Sequence, residues 1–338
     1  MELAGISTEQ AATIVTVLGA VATARGTQAA SDADLAVIHA ASRHLLGDPE
    51  LPDTLAISIP GDVAEQLATP ESQELTLNVA TILCFADVAT DDEEHQELLD
   101  PVRVLVVNDL ARYLNVAERD IIDLRRLTKH HRDRVASDLF RRFVVSTYGD
   151  EPTMVQTALV QSETRLDIDA RRVHALWERV EHLPDGTVGA ELIRYYRDNG
   201  WSYPGTDHHQ PLLFAEHDFH HVLGGYATAP VGELLVGAFT AGVAQRPMDC
   251  AVFLLLREQL GIGSPAIPGV DGAFDPESFF AALERGLDTS FEFVGPGWDP
   301  WSSVGRDLVE VRVEYGIGIG AQLAPGDPYD RDPISTEF

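Results

Sequence analysis

Between Ala215 and Glu233 the chain reads AEHDFHHVLGGYATAPVGE. Three histidines and an aspartate fall within five residues, and a single glutamate closes the stretch. On a helix, at about 100° per residue, His217 and His221 lie one turn apart on one face, and Asp218 shares their wedge. Gly224 and Gly225 end such a helix, Thr228 can cap the next, and Pro230 suits its first turn. Glu233 then stands at the start of the second helix, and a tight helix–turn–helix returns it to the neighbourhood of His221. Two imidazoles and two carboxylates converging from two helices make a metal site of borderline-to-hard character. Zn(II) accepts that donor set, and so do Fe(II) and Mn(II). The expected ligands are His217, Asp218, His221 and Glu233. Asp218 has the poorest angle for direct ligation and is also the candidate catalytic residue, since a carboxylate there can orient a histidine or carry a proton.

Other chemistries fit less well. A zinc peptidase uses His-Glu-x-x-His with the glutamate as base, and Asp218 is one methylene short of that reach. A His-Asp phosphohydrolase needs a further ligand histidine upstream; His174 and His182 are available, but nothing selects them. His220, His208 and His209 read as outer or surface residues, although His220 lies only about 60° from His217 on the helical wheel. The non-enzymatic alternative is a metal that staples two helices in a lipid-binding or scaffold protein. Four protein ligands mark such a closed site, and three plus water mark an open catalytic one.

The elements that position this stretch are helices. In the first half, a long apolar helix follows Thr8, Ser31 and Asp32 cap a second that ends at Gly47, and a third covers the stretch from Ser72. The acids Asp91–Glu94 open a further turn, where they face the positive end of a helix dipole more simply than they bind a cation. Pro101 restarts the path, and two more helices lead to Ser146. TKHHRDR, the one basic stretch, reads as a solvated face. Turn formers after Ser146 mark a linker over 146–169. Beyond it come helices ARRVHALWERVEHL and VGAELIRYYRDNGW, the hairpin of the opening stretch, DCAVFLLLREQLG, and DPESFFAALERGLD with Asp275 as cap and Pro276 in the first turn. Tyr195 and Tyr196 can line a groove or fill the core, and Trp298 and Trp301 read as core or interface. GIGIG at Gly316–Gly320 lacks the spacing and following helix of a dinucleotide site. The expectation is an all-α protein of two helical domains, 1–145 and 170–320, the second a helix bundle with the metal site between a helix pair, followed by a disordered polar tail over 321–338.

Composition narrows the partners. The 338 residues carry a formal charge of −30, with Lys129 the only lysine. Such a field disfavours nucleic acid and anionic lipid. No apolar run reaches the length of a membrane span, and Met1 leads straight into polar residues, so the expected location is cytoplasmic with at most peripheral membrane contact. Two cysteines, Cys84 and Cys250, are too few for a thiolate zinc site and stand in apolar surroundings as buried thiols.

The spacing His-Asp-x-x-His-x(11)-Glu, on His217, Asp218, His221 and Glu233, resembles the zinc motif of a family of small helical coenzyme Q (ubiquinone) biosynthesis proteins. LPDGTVGAELIRYYRDNGW is similar to that family's Pro-x-Gly-Thr-x-Gly turn and helix, and WDPWSSVGRDLVEVRVEYGIGI to its closing segment. The resemblance spans Ala170 to Ile319. It implies an all-α, often dimeric fold with a metal beside an apolar prenyl-binding groove. The implied activity is oxidative removal of the C1 carboxyl of a prenylated aromatic quinone precursor, or a scaffolding role in the complex that makes quinones. The approach to the motif, PLLFAEHDF, has Glu216 but lacks the family's arginine. In the first half, FADVATDDEE resembles the acidic turn of TerB-like (tellurite-resistance) helical domains, with Val88 in place of the glycine.

Overall fold

The computed structural model describes residues 6–47, 51–86, 100–115, 170–206, 215–228, 230–244, 275–291 and 297–318, with a few single positions between. Among these residues all regular structure is helical, with eleven α-helices, no strand, and one isolated bridge between Thr187 and Asp307. No helix among them is long and apolar enough to cross a membrane. The acidic run at Asp91–Glu94, the basic stretch at Lys129, the linker, DCAVFLLLREQLG, His208, His209 and the tail lie outside the described residues.

The chain divides into two compact units, 1–139 with 255–284, and 140–254 with 285–338. The first unit holds α1 (Thr8–Ala22), α2 (Asp32–Leu45), α3 (Val63–Gln66), α4 (Pro70–Leu83) and α5 (Pro101–Leu114). Local chemistry sets their starts. Ser7 and Gln10 form a capping box at α1, Ser31 and Asp34 another at α2, and Thr69 and Asp100 cap the helices that begin with Pro70 and Pro101. Gly47 follows α2 in the left-handed region. α1 packs on α2 and α4, and α4 on α5; Leu18, Ile38, Ile82 and Leu110 are wholly buried. Within this core Arg103 donates to Asp34 at 2.6 Å. Asp34 therefore serves both the cap of α2 and a buried ion pair.

The second unit holds α6 (Ala170–Glu181), α7 (Val188–Asn199), α8 (Ala215–Gly224), α9 (Pro230–Val243) and α11 (Leu308–Glu314). α10 (Pro276–Leu287) carries the boundary, since its residues up to Glu284 cluster with the first unit. There Arg43 pairs with Glu277, and His44 lies between Glu277 and Glu284. These ion pairs join α10 to α2 within the first unit. In the second unit α7 packs against α6, α8 and α11. The turn before α7 is tied to the closing segment: the amides of Val188 and Gly189 donate to Arg306 and Val304, and Leu308 N–H to Gly186. Gly189 is needed there, because a Cβ would sit 2.9 Å from the Val304 carbonyl oxygen.

Candidate metal centre

α8 buries one face and presents the other to α7 and α9. Phe219 meets Trp301 and Trp298 edge-on, and Val222 and Leu223 are wholly buried. His220 belongs to this core. Its ring stacks on Trp298, and its Nε2–H donates to the Phe293 carbonyl at 3.0 Å. Burial holds its pKa down at about 3, so it is a neutral packing residue. Trp298 is buried in the same cluster, and Trp177 packs on Trp301.

The helix ends at Gly224, and Gly225, at φ +73°, turns the chain with its amide on the His221 carbonyl. The orphan carbonyls at this end are met by two arginines from later in the sequence. Arg312 donates to Val222 and Leu223, and Arg285 to Gly224. α9 then starts at Pro230, while the Thr228 hydroxyl donates to Asn199 Oδ1. In the first turn of α9, Gly232 lies against the backbone of Ala227, where a Cβ would come within 2.0 Å of the carbonyl oxygen. That close approach brings Glu233 back over α8.

Three donor atoms converge as a result. His217 Nε2 and Glu233 Oε2 are 3.2 Å apart, His217 Nε2 and His221 Nε2 3.2 Å, and His221 Nε2 and Glu233 Oε2 3.4 Å. A tetrahedral ion with bonds of roughly 2.0–2.1 Å has ligand–ligand edges of roughly 3.3 Å. The triangle therefore has the size of one face of such a coordination shell. The donor chemistry agrees. His221 is fully buried, and its Nδ1–H donates to the Tyr226 carbonyl at 3.0 Å, which leaves the Nε2 lone pair facing the cluster. Burial opposes protonation of His221, but the Glu233 carboxylate, the Asp218 charge and the Tyr226 carbonyl together outweigh it and raise the pKa. Burial would likewise raise Glu233, and His221 and His217 instead hold it well below the usual carboxylate range. An anionic carboxylate facing two imidazole nitrogens is a cation-binding arrangement. His217 is the more open side, with its side chain 35% exposed.

Asp218 is placed differently from the other three expected ligands. Its Oδ1 accepts from Tyr195 at 3.0 Å and its Oδ2 from Tyr196 at 2.5 Å. Among the described residues, the donor atoms that lie within 4.8 Å of one another come from His217, His221 and Glu233. Burial pushes the Asp218 carboxyl up, against the pull of His217, Tyr196, His221 and Tyr195. Tyr195 and Tyr196 are wholly buried; they are core residues that reach the site by their hydroxyls. Burial first, and then the Asp218 charge, raises both phenol pKa values, so both remain donors. Neither tyrosine, nor Gly232, nor the Tyr226 carbonyl stands out by spacing in the sequence. Glu216, next to His217, is pushed up to about 7 by burial and by Asp299. His174 and His182 stand on α6 or just after it, and His182 bonds its own helix at the Glu178 carbonyl. On the far side of Tyr195, whose ring meets Trp201, α6 and α7 border an open cavity of about 720 Å³ lined in part by Trp177, Trp201 and Tyr203.

Compared with family models, curated proteins and solved structures, the chain gives no match.

Proposed function

We propose that the protein binds one divalent metal ion through His217, His221 and Glu233 and uses it on a prenylated aromatic quinone precursor. Zinc is the simplest occupant, with Fe(II) and Mn(II) as alternatives. The observation that carries the metal is the donor triangle with edges of 3.2, 3.2 and 3.4 Å. The substrate class and reaction, loss of a ring C1 carboxyl as CO2 with oxidation of that carbon by an external two-electron oxidant, rest on the likeness of the His-Asp-x-x-His-x(11)-Glu spacing to the coenzyme Q biosynthesis family. Bound there, the ion supplies a Lewis acid for a carboxyl or phenolic oxygen. The chain's own residues do the rest. His221 is held in one tautomer by Tyr226, Glu233 supplies the negative charge, and Asp218 is a proton acceptor poised beside the cluster on two phenols. Among the described residues three donors converge rather than four, and that supports an open site over a structural staple.

The test is elemental analysis of the purified protein together with turnover of a prenylated hydroxybenzoate supplied with an oxidant. About one divalent ion per chain is expected. His221→Ala and Glu233→Ala lose it, whereas Asp218→Asn keeps most of the metal and loses turnover. If metal and thermal stability fall together in all three variants and the wild type turns over no prenylated aromatic, the site is structural and the protein a lipid-binding or scaffold component. A protein that stays metal-free in zinc-supplemented buffer overturns the metal reading altogether.

A further inference from the structure

Asp218 raises a question that the metal reading leaves open, and the answer proposed here rests on that reading. A carboxylate one residue from one ligand and three from another is close enough to both histidines to feel their charge. Carboxylates are good ligands for the same ions. A free carboxylate here has the chemistry to act as a further ligand. Instead each of its oxygens is engaged by a separate phenol of α7, Tyr195 on Oδ1 and Tyr196 on Oδ2.

The phenols are anchored. The Tyr195 ring packs edge-on to Trp201 and lies 5.4 Å from the His221 ring. The Tyr196 ring is wedged edge-on against Trp177 and Tyr203 at 5.4 and 5.6 Å. Both rings are wholly buried. Side chains packed this way cannot follow a moving carboxylate. Asp218 is absent from the group of donor atoms that lie within 4.8 Å of one another, so to join it the carboxylate would have to turn from phenols that hold it by charge-assisted hydrogen bonds. We infer that Tyr195 and Tyr196 are positioning residues that hold Asp218 away from the metal, so that the described residues supply three donors and the remaining coordination position stays open to an exogenous ligand. The paired tyrosines, and not the number of candidate ligands in the motif, then decide whether the site is open or closed.

The experiment uses the full chain loaded with Co(II), with azide as the exogenous ligand. In the wild type, azide shifts the visible cobalt spectrum. In Tyr195→Phe/Tyr196→Phe the freed Asp218 takes the open position. The azide shift is lost, and cobalt affinity rises by about tenfold because a further anionic ligand is added. Adding Asp218→Asn to that double variant restores the azide shift. Each single Tyr→Phe frees one oxygen and moves both readouts in the same direction, so the test stands if the double variant does not fold. An ordinary supporting role for the tyrosines gives the reverse, an affinity loss of about 10- to 100-fold with the azide shift retained, and that result overturns the inference. A wild type that binds cobalt without any azide response also overturns it while leaving the metal reading intact. A wild type that binds no cobalt removes both.

Discussion

Gly232→Ala tests the proposed centre without touching a ligand. In the wild type, a Cβ at this position would lie 2.0 Å from the Ala227 carbonyl oxygen and 2.6 Å from its carbon. A methyl carbon and a carbonyl oxygen need roughly 3.3 Å. The first turn of α9 must therefore retreat by roughly 1.3 Å from the turn that precedes it. Glu233 is the next residue, and its carboxylate sits 3.2 and 3.4 Å from the two histidine nitrogens. Metal–ligand distances tolerate about 0.2 Å. The retreat exceeds that several-fold, so Glu233 drops out and two protein donors remain. Zinc affinity, measured by competition with a chromophoric chelator, should fall by about 100-fold. The crowding itself should lower stability by about 1–3 kcal/mol, read from urea unfolding of the metal-free protein. Gly305→Ala is the control, since a Cβ there meets nothing within 4 Å. The reasoning is refuted if Gly232→Ala binds zinc as the wild type does, or loses the expected stability while keeping its zinc affinity.

Three further outcomes follow from the packing. Arg312→Met leaves the carbonyls of Val222 and Leu223 without their buried donor and should cost about 2–4 kcal/mol in urea unfolding, with zinc affinity falling too because α8 loosens. Asp34→Asn strips the charge from the partner of buried Arg103 and should cost about 3 kcal/mol, read as a lower melting temperature with no change in metal content. At Asp100, burial would raise the carboxyl pKa, but the bonds from Gln28 and from the amides of Arg103 and Val102 bring it below the model-peptide value of 3.8. Just below pH 3.8 the unfolded chain takes up this proton before the folded one does. The contribution is therefore largely present above that pH and is lost as pH falls through the folded value, so the stability difference between wild type and Asp100→Asn should shrink as pH is lowered below 3.8.

Elements fixed by short-range chemistry were the ones legible in the sequence. Ser31, Gly47, Asp275 with Pro276, and Asn199–Gly200 mark helix ends because caps act over three or four residues. The start of α1 shows how fine the margin is. Thr8 would place Ala11 where a capping box needs a returning side chain, whereas Ser7 places Gln10 there, and Ser7 is the cap. His217 and His221 were legible as a pair because helical spacing alone puts them on one face. Glu233 was legible because the turn between the helices is short. The contacts that Asp218 makes were not. Its tyrosine partners lie 22 and 23 residues earlier and reach it through the packing of α7 on α8, which no periodicity encodes. The clearance at Gly232 was hidden for the same reason, since a glycine in a helix gives no sign of what passes beside it. The contacts of Glu277 with Arg43 and His44 were hidden too, since they join residues more than 230 positions apart.

The arginines that finish α8 impose an order on synthesis. The carbonyls at the end of the histidine helix wait for Arg285, 61 residues after Gly224, and for Arg312, some 90 residues after Val222. At about 5–20 residues per second, the last of these partners leaves the ribosome roughly 5–20 s after the histidines do. Through that interval the emerging chain presents imidazoles and a carboxylate on a helix whose end is still hydrated and frayed. Ordering of the donor triangle is thus a late event in the life of the nascent polypeptide. A chain stalled before Arg312 carries every proposed ligand and lacks the donor to the Val222 and Leu223 carbonyls at the end of the helix that bears two of them.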